Sequence, residues 1–181
     1  MVVAVYGGSF NPPHVAHAMV AGWLLWTRRA EQVWLVPVFQ HAFEGRQDKT
    51  LAPYERRVRW CEAMADDIDR IHVSVSRIEA HLTTPSFTID TLRALRARNP
   101  EHTFRLVVGA DVLPQTPQWK AWDDIVREFP PIVVGRANHP PVADSIQFPD
   151  VSSTEIRRRL QAREPVAHLV TARVQALLAE R

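Results

Sequence analysis

Two kinds of hydrophobic pattern alternate along this chain. Short, mostly apolar runs occur at residues 2–6, 32–37, 71–75, 103–109 and 132–134. Consecutive apolar residues of this kind are typical of strands that are covered by helices on both faces. Between these runs, apolar residues recur every three or four positions, which predicts helices over 15–29, 54–68, 86–99, 119–127 and 166–178. A further helix is predicted to begin at Ser152, and a sixth short strand to lie within 145–148.

The regular alternation of predicted strands and helices defines the fold class. It indicates an α/β protein with a Rossmann-like, doubly wound, mainly parallel sheet of five to six strands and helices on both faces. A length of 181 residues favours a single domain over 1–181. The sequence contains neither Gly-x-Gly-x-x-Gly nor a Walker lysine motif. An ordinary dinucleotide-binding dehydrogenase and a P-loop enzyme are therefore disfavoured.

Composition and charge limit the kinds of partner that we expect for this protein. The hydrophobic fraction is 46% and the charged fraction 23%, and no apolar run or leader segment predicts a membrane span or secretion. Cys61 is the only cysteine, so no internal disulfide can form, and we expect a cytoplasmic protein. The formal net charge of +2 is too balanced to indicate nucleic-acid binding, despite the local basic run Arg157–Arg159. We expect neither a nucleic-acid nor a membrane partner.

The stretch 7–17 lies between the first predicted strand and the first helix, where open α/β sheets bind ligands. Gly7 and Gly8 lack Cβ atoms and would let a ligand approach the main chain. His14 and His17 are three residues apart and share one helical face, from which two imidazoles could donate to phosphate oxygens. Alternatively, this stretch is a glycine–proline turn that carries two solvated histidines.

The stretch that begins at Ser152 is a second candidate site. Ser152 and Glu155 fit a capping box, which would be a purely structural role. However, Arg157–Arg159 place three cations early in the predicted helix, where the helix dipole disfavours positive charge. An anion bound at this helix N-terminus would resolve that conflict.

Two more residues are candidates because of their positions. Asp111 directly follows the fourth strand, where ligand binding and helix capping are equally reasonable roles. Trp119 and Trp122 are three apart in a predicted helix, so that one indole could face the core and the other a site. Burial in the core is the default for tryptophan.

Together these stretches resemble a known family. Gly7-Gly8-Ser9-Phe10-Asn11-Pro12 with His14-Val15-Ala16-His17 resembles the Gly-Gly-Thr-Phe-Asp-Pro…His-x-Gly-His signature of the nucleotidyltransferase superfamily. Residues 152–157 resemble its second signature, Ile-Ser-Ser-Thr-x-Ile-Arg. Residues 85–92, 107–111 and 119–122 are most similar to bacterial nicotinate-nucleotide adenylyltransferases. The resemblance spans nearly the whole chain.

The resemblance implies transfer of AMP from ATP to nicotinate mononucleotide with release of pyrophosphate, and Mg²⁺ carried by the ATP phosphates. It implies catalytic roles for His14, His17 and Arg157. The implied ATP-binding residues are Gly7, Gly8, Ser9, Phe10, His14, His17, Ser153, Thr154 and Arg157. The implied mononucleotide-binding residues are Thr88, Ile89, Asp111 and Trp119. Alternatives are a nucleotidyltransferase for nicotinamide mononucleotide or another phosphorylated acceptor, and a non-catalytic nucleotide-binding regulator of the same fold.

The sequence departs from the family pattern at two places. Ala16 replaces the glycine between the two histidines, which adds one methyl group near the expected nucleotide. The 38–52 loop lacks the family's Pro-His-Lys-like element and offers His41, Arg46 and Lys49 instead. Which of these cations contacts phosphate is left open, and a solvated lid without such a contact is an equal alternative.

Overall fold

The computed structural model describes residues 1–40 and 51–180. Its strands form one six-stranded sheet in the order β3-β2-β1-β4-β5-β6, and every pair of neighbours is parallel. The strands are β1 (Val2–Gly8), β2 (Gln32–Pro37), β3 (Val73–Val75), β4 (Thr103–Gly109), β5 (Ile132–Arg136) and β6 (Gln147–Phe148). The predicted doubly wound α/β fold is confirmed.

Helices cover both faces of this sheet. They are α1 (Val15–Trp26), α2 (Tyr54–Ile68), α3 (Thr88–Arg98), α4 (Trp122–Glu128), α5 (Ser153–Gln161) and α6 (Ala172–Ala179), with 3₁₀ segments at Ile78–His81 and Leu113–Gln118. Side chains of β1 alternate between the faces, as the two-residue period of a strand requires. Ala4 packs in a core with α1, α2, α5 and α6, whereas Val3 and Val5 pack in a second core with α3 and α4.

Several predicted boundaries are wrong by a few residues. The first helix ends at Trp26 rather than residue 29. The third strand begins at Val73 rather than residue 71, because the Asp69 carboxylate accepts the main-chain N–H groups of Ile71 and His72 and holds them in a turn. The third helix begins at Thr88, with Phe87 rather than Ser86 at its N-cap.

Two larger corrections concern the C-terminal half. The helix predicted from Trp119 begins at Trp122, because Ala121 adopts a left-handed conformation with a φ of 54°. The single helix predicted over 166–178 is a turn followed by α6, which begins at Ala172. In that turn the Leu169 N–H donates to the Val166 carbonyl at 2.8 Å, and the Leu169 carbonyl accepts the N–H of Val15 at 2.9 Å.

The strand order identifies where a ligand would bind. The chain runs outward from β1 through β2 to β3, and then returns to pair β4 with the other edge of β1. A reversal of this kind opens a crevice at the carboxyl ends of the two central strands. Gly8 ends β1 and Gly109 ends β4, so the 7–17 stretch and Asp111 both lie at this crevice. Among the described residues, no helix is long and apolar enough to cross a membrane.

Candidate active site

The loop between β1 and α1 is held through its main chain. Arg57, only 1% exposed, donates from Nη1 to the Ser9 carbonyl at 2.9 Å and from Nε to the Ala52 carbonyl at 3.0 Å. The Asn11 side-chain oxygen accepts the N–H of Ala52 at 3.0 Å. Phe10 has a φ of 45° and buries its ring against Tyr6, with ring centroids 5.8 Å apart. The loop is therefore fixed by α2 as well as by its own backbone.

The second candidate stretch docks on this same loop from the other end of the chain. The Ser153 hydroxyl donates to the Pro12 carbonyl at 2.8 Å. Arg157 donates from Nη1 to the Asn11 carbonyl at 2.8 Å and from Nη2 to the Thr154 hydroxyl at 3.2 Å. The structure thus joins the two motifs that lie more than 140 residues apart in sequence.

Helix α5 corrects one argument from the sequence. The Ser152 hydroxyl does cap the helix by accepting the Glu155 N–H at 3.2 Å. However, α5 ends at Gln161, so Arg158 and Arg159 lie in its last turn, where the dipole favours cations. Both also pair with the Glu155 carboxylate. The predicted conflict between Arg157–Arg159 and the helix dipole is therefore wrong for Arg158 and Arg159.

The two histidines stand at the start of α1. Their rings are stacked, with centroids 3.6 Å apart and planes 27° apart. The main-chain N–H of His14 donates to Nδ1 of His17 at 3.1 Å. Because Nδ1 accepts this bond, the proton of the neutral His17 ring lies on Nε2, which is then available to donate to a ligand.

Burial makes both imidazoles poor bases. Burial and, to a smaller extent, the nearby charge of Arg136 lower the pKa of His14 to about 4. The pKa of His17 lies well below its usual value, chiefly because the ring is buried. Electrostatic repulsion from His14 and from Arg136 lowers it in the same direction. Both rings are therefore neutral at pH 7 in the unliganded protein, and a bound phosphate would favour their protonation.

Arg136 is a cation of the site that the sequence analysis missed. It lies at the end of β5 and donates to Oδ2 of Asp111 at 2.6 Å and to Oδ1 of Asp150 at 2.9 Å. Asp111 therefore forms an ion pair, and the N-cap of the following 3₁₀ segment is Val112. The available signal was a cation that directly follows a buried strand, which places it at the carboxyl edge of the sheet.

These groups surround a cleft that is open to solvent. The Ala16 methyl group that replaces the family's glycine forms part of the wall. A Cβ atom placed on Gly7 would meet nothing within 4 Å, so the main chain is open to a ligand there. The residues that line the cleft include Tyr6, His14, Ala16, His17, Gly109, Asp111, Gly135, Arg136 and Phe148.

The other predicted residues form a second region around the start of α3. Thr88 and Ile89 are its first two residues, and Ile89 is 1% exposed, so only its main chain can face a ligand. Trp119 packs edge-on against Trp122, with ring centroids 5.8 Å apart. Lys120 pairs with Asp90 of α3 at 2.9 Å and thereby connects the tryptophan segment to this helix.

Three predicted phosphate-binding candidates lie outside the described residues, and Asp111 lies apart from the other residues predicted for the mononucleotide. His41, Arg46 and Lys49 fall in 41–50, outside the described residues. Within the described part of the chain, no group of three or more His, Cys, Asp or Glu side chains is arranged to hold a metal ion. Asp111 lines the histidine cleft, so the structure groups it with the residues assigned to ATP.

Comparison with known proteins places this geometry in a family. The sequence model described as cytidylyltransferase-like matches residues 5–159, which include both motifs and Arg136. The chain belongs to the cytidylyltransferase-like family. The expected relationship to nicotinate-nucleotide adenylyltransferases is also confirmed, because relatives of that name match over nearly the full chain.

Two such relatives of this cytidylyltransferase-like chain are named "Probable nicotinate-nucleotide adenylyltransferase". One, from Anaeromyxobacter sp. (strain K), is 43% identical over 99% of this chain and 94% of its own length. The other, from Myxococcus xanthus, is 38% identical over 98% of this chain and 92% of its own length. The solved structure of Plasmodium falciparum nicotinic acid mononucleotide adenylyltransferase complexed with NaAD has a TM-score of 0.80 at 19% identity. It covers 98% of this chain and 94% of its own, and it supports the fold.

Proposed function

We propose that this protein is a nicotinate-nucleotide adenylyltransferase, which joins the AMP moiety of ATP to nicotinate mononucleotide and releases pyrophosphate. The single observation that carries the proposal is the junction of the two motifs. Ser153 and Arg157 bind the main chain of the loop that leads into His14 and His17. That junction lies at the reversal point of the sheet, where open α/β folds bind nucleotides. The names of the close relatives supply the substrate.

The reaction needs no nucleophile from the protein. An oxygen of the mononucleotide phosphate attacks the α-phosphorus of ATP in line, and the bond to the bridging oxygen of pyrophosphate breaks. Since the phosphate is already a nucleophile, the work of the protein is to position both substrates and to stabilise negative charge. No catalytic proton transfer is required, which agrees with two imidazoles that are neutral at pH 7.

His17 is proposed to act as a charge-stabilising donor through Nε2. Donors aimed at developing charge in a partly desolvated cleft are worth more than in water, and they need no reorganisation during the reaction. Arg157 provides a second donor group from α5, and Arg136 a cation at the end of β5, where it lines the cleft. Mg²⁺ is proposed to arrive with ATP and to neutralise charge on the departing pyrophosphate.

The acceptor is proposed to bind at the start of α3. The first main-chain N–H groups of a helix attract an anion, which here is the carboxylate of nicotinate. Thr88 and Ile89 supply those groups, and Trp119 supplies a ring that stacks on the pyridine. A carboxylate gains more from helix N–H groups than a neutral carboxamide does, which favours nicotinate over nicotinamide.

Pyrophosphate release from purified protein tests the proposal directly. The protein is incubated with ATP and Mg²⁺ and, in separate reactions, with nicotinate mononucleotide, nicotinamide mononucleotide and other phosphorylated acceptors. Fastest release with nicotinate mononucleotide, together with formation of the dinucleotide, is the expected result. Faster turnover of another acceptor would overturn the assignment of substrate. Binding of ATP without pyrophosphate release from any acceptor would indicate a regulator instead.

A further inference from the structure

Glu79 is a buried carboxylate that the proposed reaction does not use. It lies in the 3₁₀ segment after β3, is 9% exposed, and makes two hydrogen bonds to separate parts of the chain. Its Oε2 accepts the main-chain N–H of Phe39 at 3.0 Å, and its Oε1 accepts the hydroxyl proton of Thr91 at 3.0 Å. Burial raises its pKa, whereas these two hydrogen bonds, the nearby Ser86 hydroxyl and the charge of Arg57 oppose that rise.

The partners of Glu79 join the two halves of the site. Thr91 is itself buried and belongs to the first turn of α3, the same turn as Thr88 and Ile89. Phe39 follows β2, the strand that pairs with β1 as far as Gly8. Arg57, whose charge acts on Glu79, donates to the Ser9 carbonyl in the loop beside the histidines.

A purely structural role explains this arrangement poorly. A buried charge pays a desolvation cost, and an apolar side chain of similar volume commonly packs as well or better at such a position. Hydrogen bonds to a carboxylate, unlike apolar contacts, fix the direction of the groups that make them. Glu79 fixes the rotation of α3 through Thr91, and that rotation sets where the N–H groups of Thr88 and Ile89 point.

We propose that Glu79 is a positioning residue for the acceptor nucleotide, which holds the first turn of α3 in the orientation that binds the acceptor's negatively charged group. This inference rests on the proposed function, since it assigns the acceptor to that turn. The two buried charged residues then have separate roles: Glu79 holds α3 on the acceptor side, whereas Arg57 holds the loop before α1.

Steady-state kinetics on Thr91 variants provide the sharpest test. Thr91→Val removes the hydroxyl that binds Oε1 of Glu79 and keeps the side-chain volume, whereas Thr91→Ser keeps the hydroxyl. We expect Thr91→Val to raise the KM for nicotinate mononucleotide roughly tenfold, the loss typical of one hydrogen bond to a charged group. The KM for ATP should change less than twofold, and Thr91→Ser should restore the mononucleotide KM to within about threefold.

Glu79→Met tests the same hydrogen bond from the other side. The methionine side chain keeps a similar length but offers only a weakly accepting thioether to the Phe39 N–H and the Thr91 hydroxyl. The double variant Glu79→Met/Thr91→Val should be no worse than the poorer single variant, because the hydrogen bond that Thr91→Val removes is already lost in Glu79→Met. Additive losses, or parallel increases in both KM values that track the melting temperature, would overturn the proposal.

Amide hydrogen exchange separates this inference from the proposed function. Exchange at Asp90 and Thr91, whose N–H groups donate to the Phe87 carbonyl, should become at least about tenfold faster in Thr91→Val, while exchange in α6 stays unchanged. If the wild-type protein releases no pyrophosphate with any pyridine mononucleotide, the proposed function fails, but the exchange measurement still tests the tether. Unchanged exchange at Asp90 and Thr91 would show that Glu79 does not hold this turn.

Discussion

The two halves of the candidate site are built by different physical means. On the ATP side, the loop before α1 is fixed by side chains that bind its carbonyl groups from α2 and α5. On the acceptor side, the tryptophan segment meets α3 through the ion pair of Lys120 with Asp90 and an edge contact between indoles. Because both charged side chains of that pair are about half exposed, it contributes less than about 1 kcal/mol.

This difference suggests that one half of the site stabilises charge during the reaction and the other half recognises the acceptor. Charge stabilisation depends on donors that are already in place, since a donor that must reorganise loses its advantage. The histidines meet this condition because their rings are stacked and Nδ1 of His17 is already hydrogen bonded. Recognition of a planar pyridine needs less precision, since stacking tolerates small rotations of the ring. We therefore expect substitutions on the ATP side to lower kcat and those on the acceptor side to raise KM.

The largest effect is expected for His17→Ala. Loss of a donor that stabilises developing charge typically costs a factor of 10² to 10³ in kcat. The steady-state kcat should fall by roughly that factor, while the melting temperature changes little. The matched control is His168→Ala, at an exposed histidine outside the cleft, and it should retain wild-type activity. A His17→Ala protein with near-normal kcat would remove this residue from the chemistry.

Arg157→Ala is expected to have the next largest effect. Its guanidinium bonds to the Asn11 carbonyl and to Thr154, and hydrogen bonds to charged groups are worth about 1.5–3 kcal/mol. The dissociation constant for ATP should rise roughly 10- to 100-fold, and that for the mononucleotide much less. Arg157→Lys should rescue only partly, because an ammonium group lacks the bidentate geometry.

Arg158→Ala is the control for this substitution. Arg158 lies one residue further along α5, and its guanidinium pairs with Glu155 and Glu164 at the surface. Its loss should leave the affinity for ATP unchanged. Equal losses of affinity for ATP and mononucleotide in Arg157→Ala would instead indicate that Arg157 supports the whole site as a structural residue.

The pH dependence of stability tests the burial of the histidines. The folded-state pKa of His14 is about 4, below the value of about 6.5 expected when unfolded. Between these two pKa values His14 is protonated in the unfolded chain and neutral in the folded chain. The free energy of unfolding therefore falls as the pH drops below about 6.5. Between pH 7 and pH 5 this histidine alone should cost about 2 kcal/mol. Denaturant unfolding of wild type and His14→Gln at both values measures it, and an equal loss in the two proteins would contradict the burial.

The sequence predicted the fold well because the pattern of apolar runs is a property of the sheet itself. The five strongest predicted strands are all present, and β1 extends beyond its apolar run to Gly8 because it pairs with β2 up to Pro37. Errors arose where a single side chain or backbone angle ends an element. The hydrogen bonds of the Asp69 carboxylate shift the start of β3 to a later residue, and the left-handed Ala121 does the same for α4. Neither effect changes the spacing of apolar residues from which the elements were predicted.

The sequence pattern identified the two motifs but not the residues that contact them from other elements. The first and second motifs were identified from local residues, and the structure brings them into contact. Arg57, Arg136 and Glu79 were missed because each acts through a partner on another element. An arginine on an amphipathic helix is usually expected on its solvated face, whereas Arg57 is buried. Only the tertiary structure reveals its burial.

The smallest expected effect concerns Trp119, which the structure does not place in the predicted helix. This residue precedes α4 instead of lying in it, so the two indoles do not share a helical face. Trp119 is partly buried and packs beside α3, which leaves part of its ring for stacking. We expect Trp119→Ala to weaken mononucleotide binding by about 1–3 kcal/mol and Trp119→Phe to weaken it much less, since a smaller ring still stacks.

Two measurements on Trp119→Ala distinguish stacking from core packing: the mononucleotide dissociation constant and the free energy of unfolding. Removal of a tryptophan that belongs to the core costs about 3–5 kcal/mol of stability, whereas removal of a partly buried stacking ring costs much less. Trp122→Ala is the matched comparison, because this partly buried indole contacts the same core from within α4, and its loss should reduce stability without a selective loss of acceptor affinity. If Trp119→Ala instead loses stability and binds the mononucleotide normally, Trp119 belongs to the core, and the acceptor side must find its aromatic contact elsewhere.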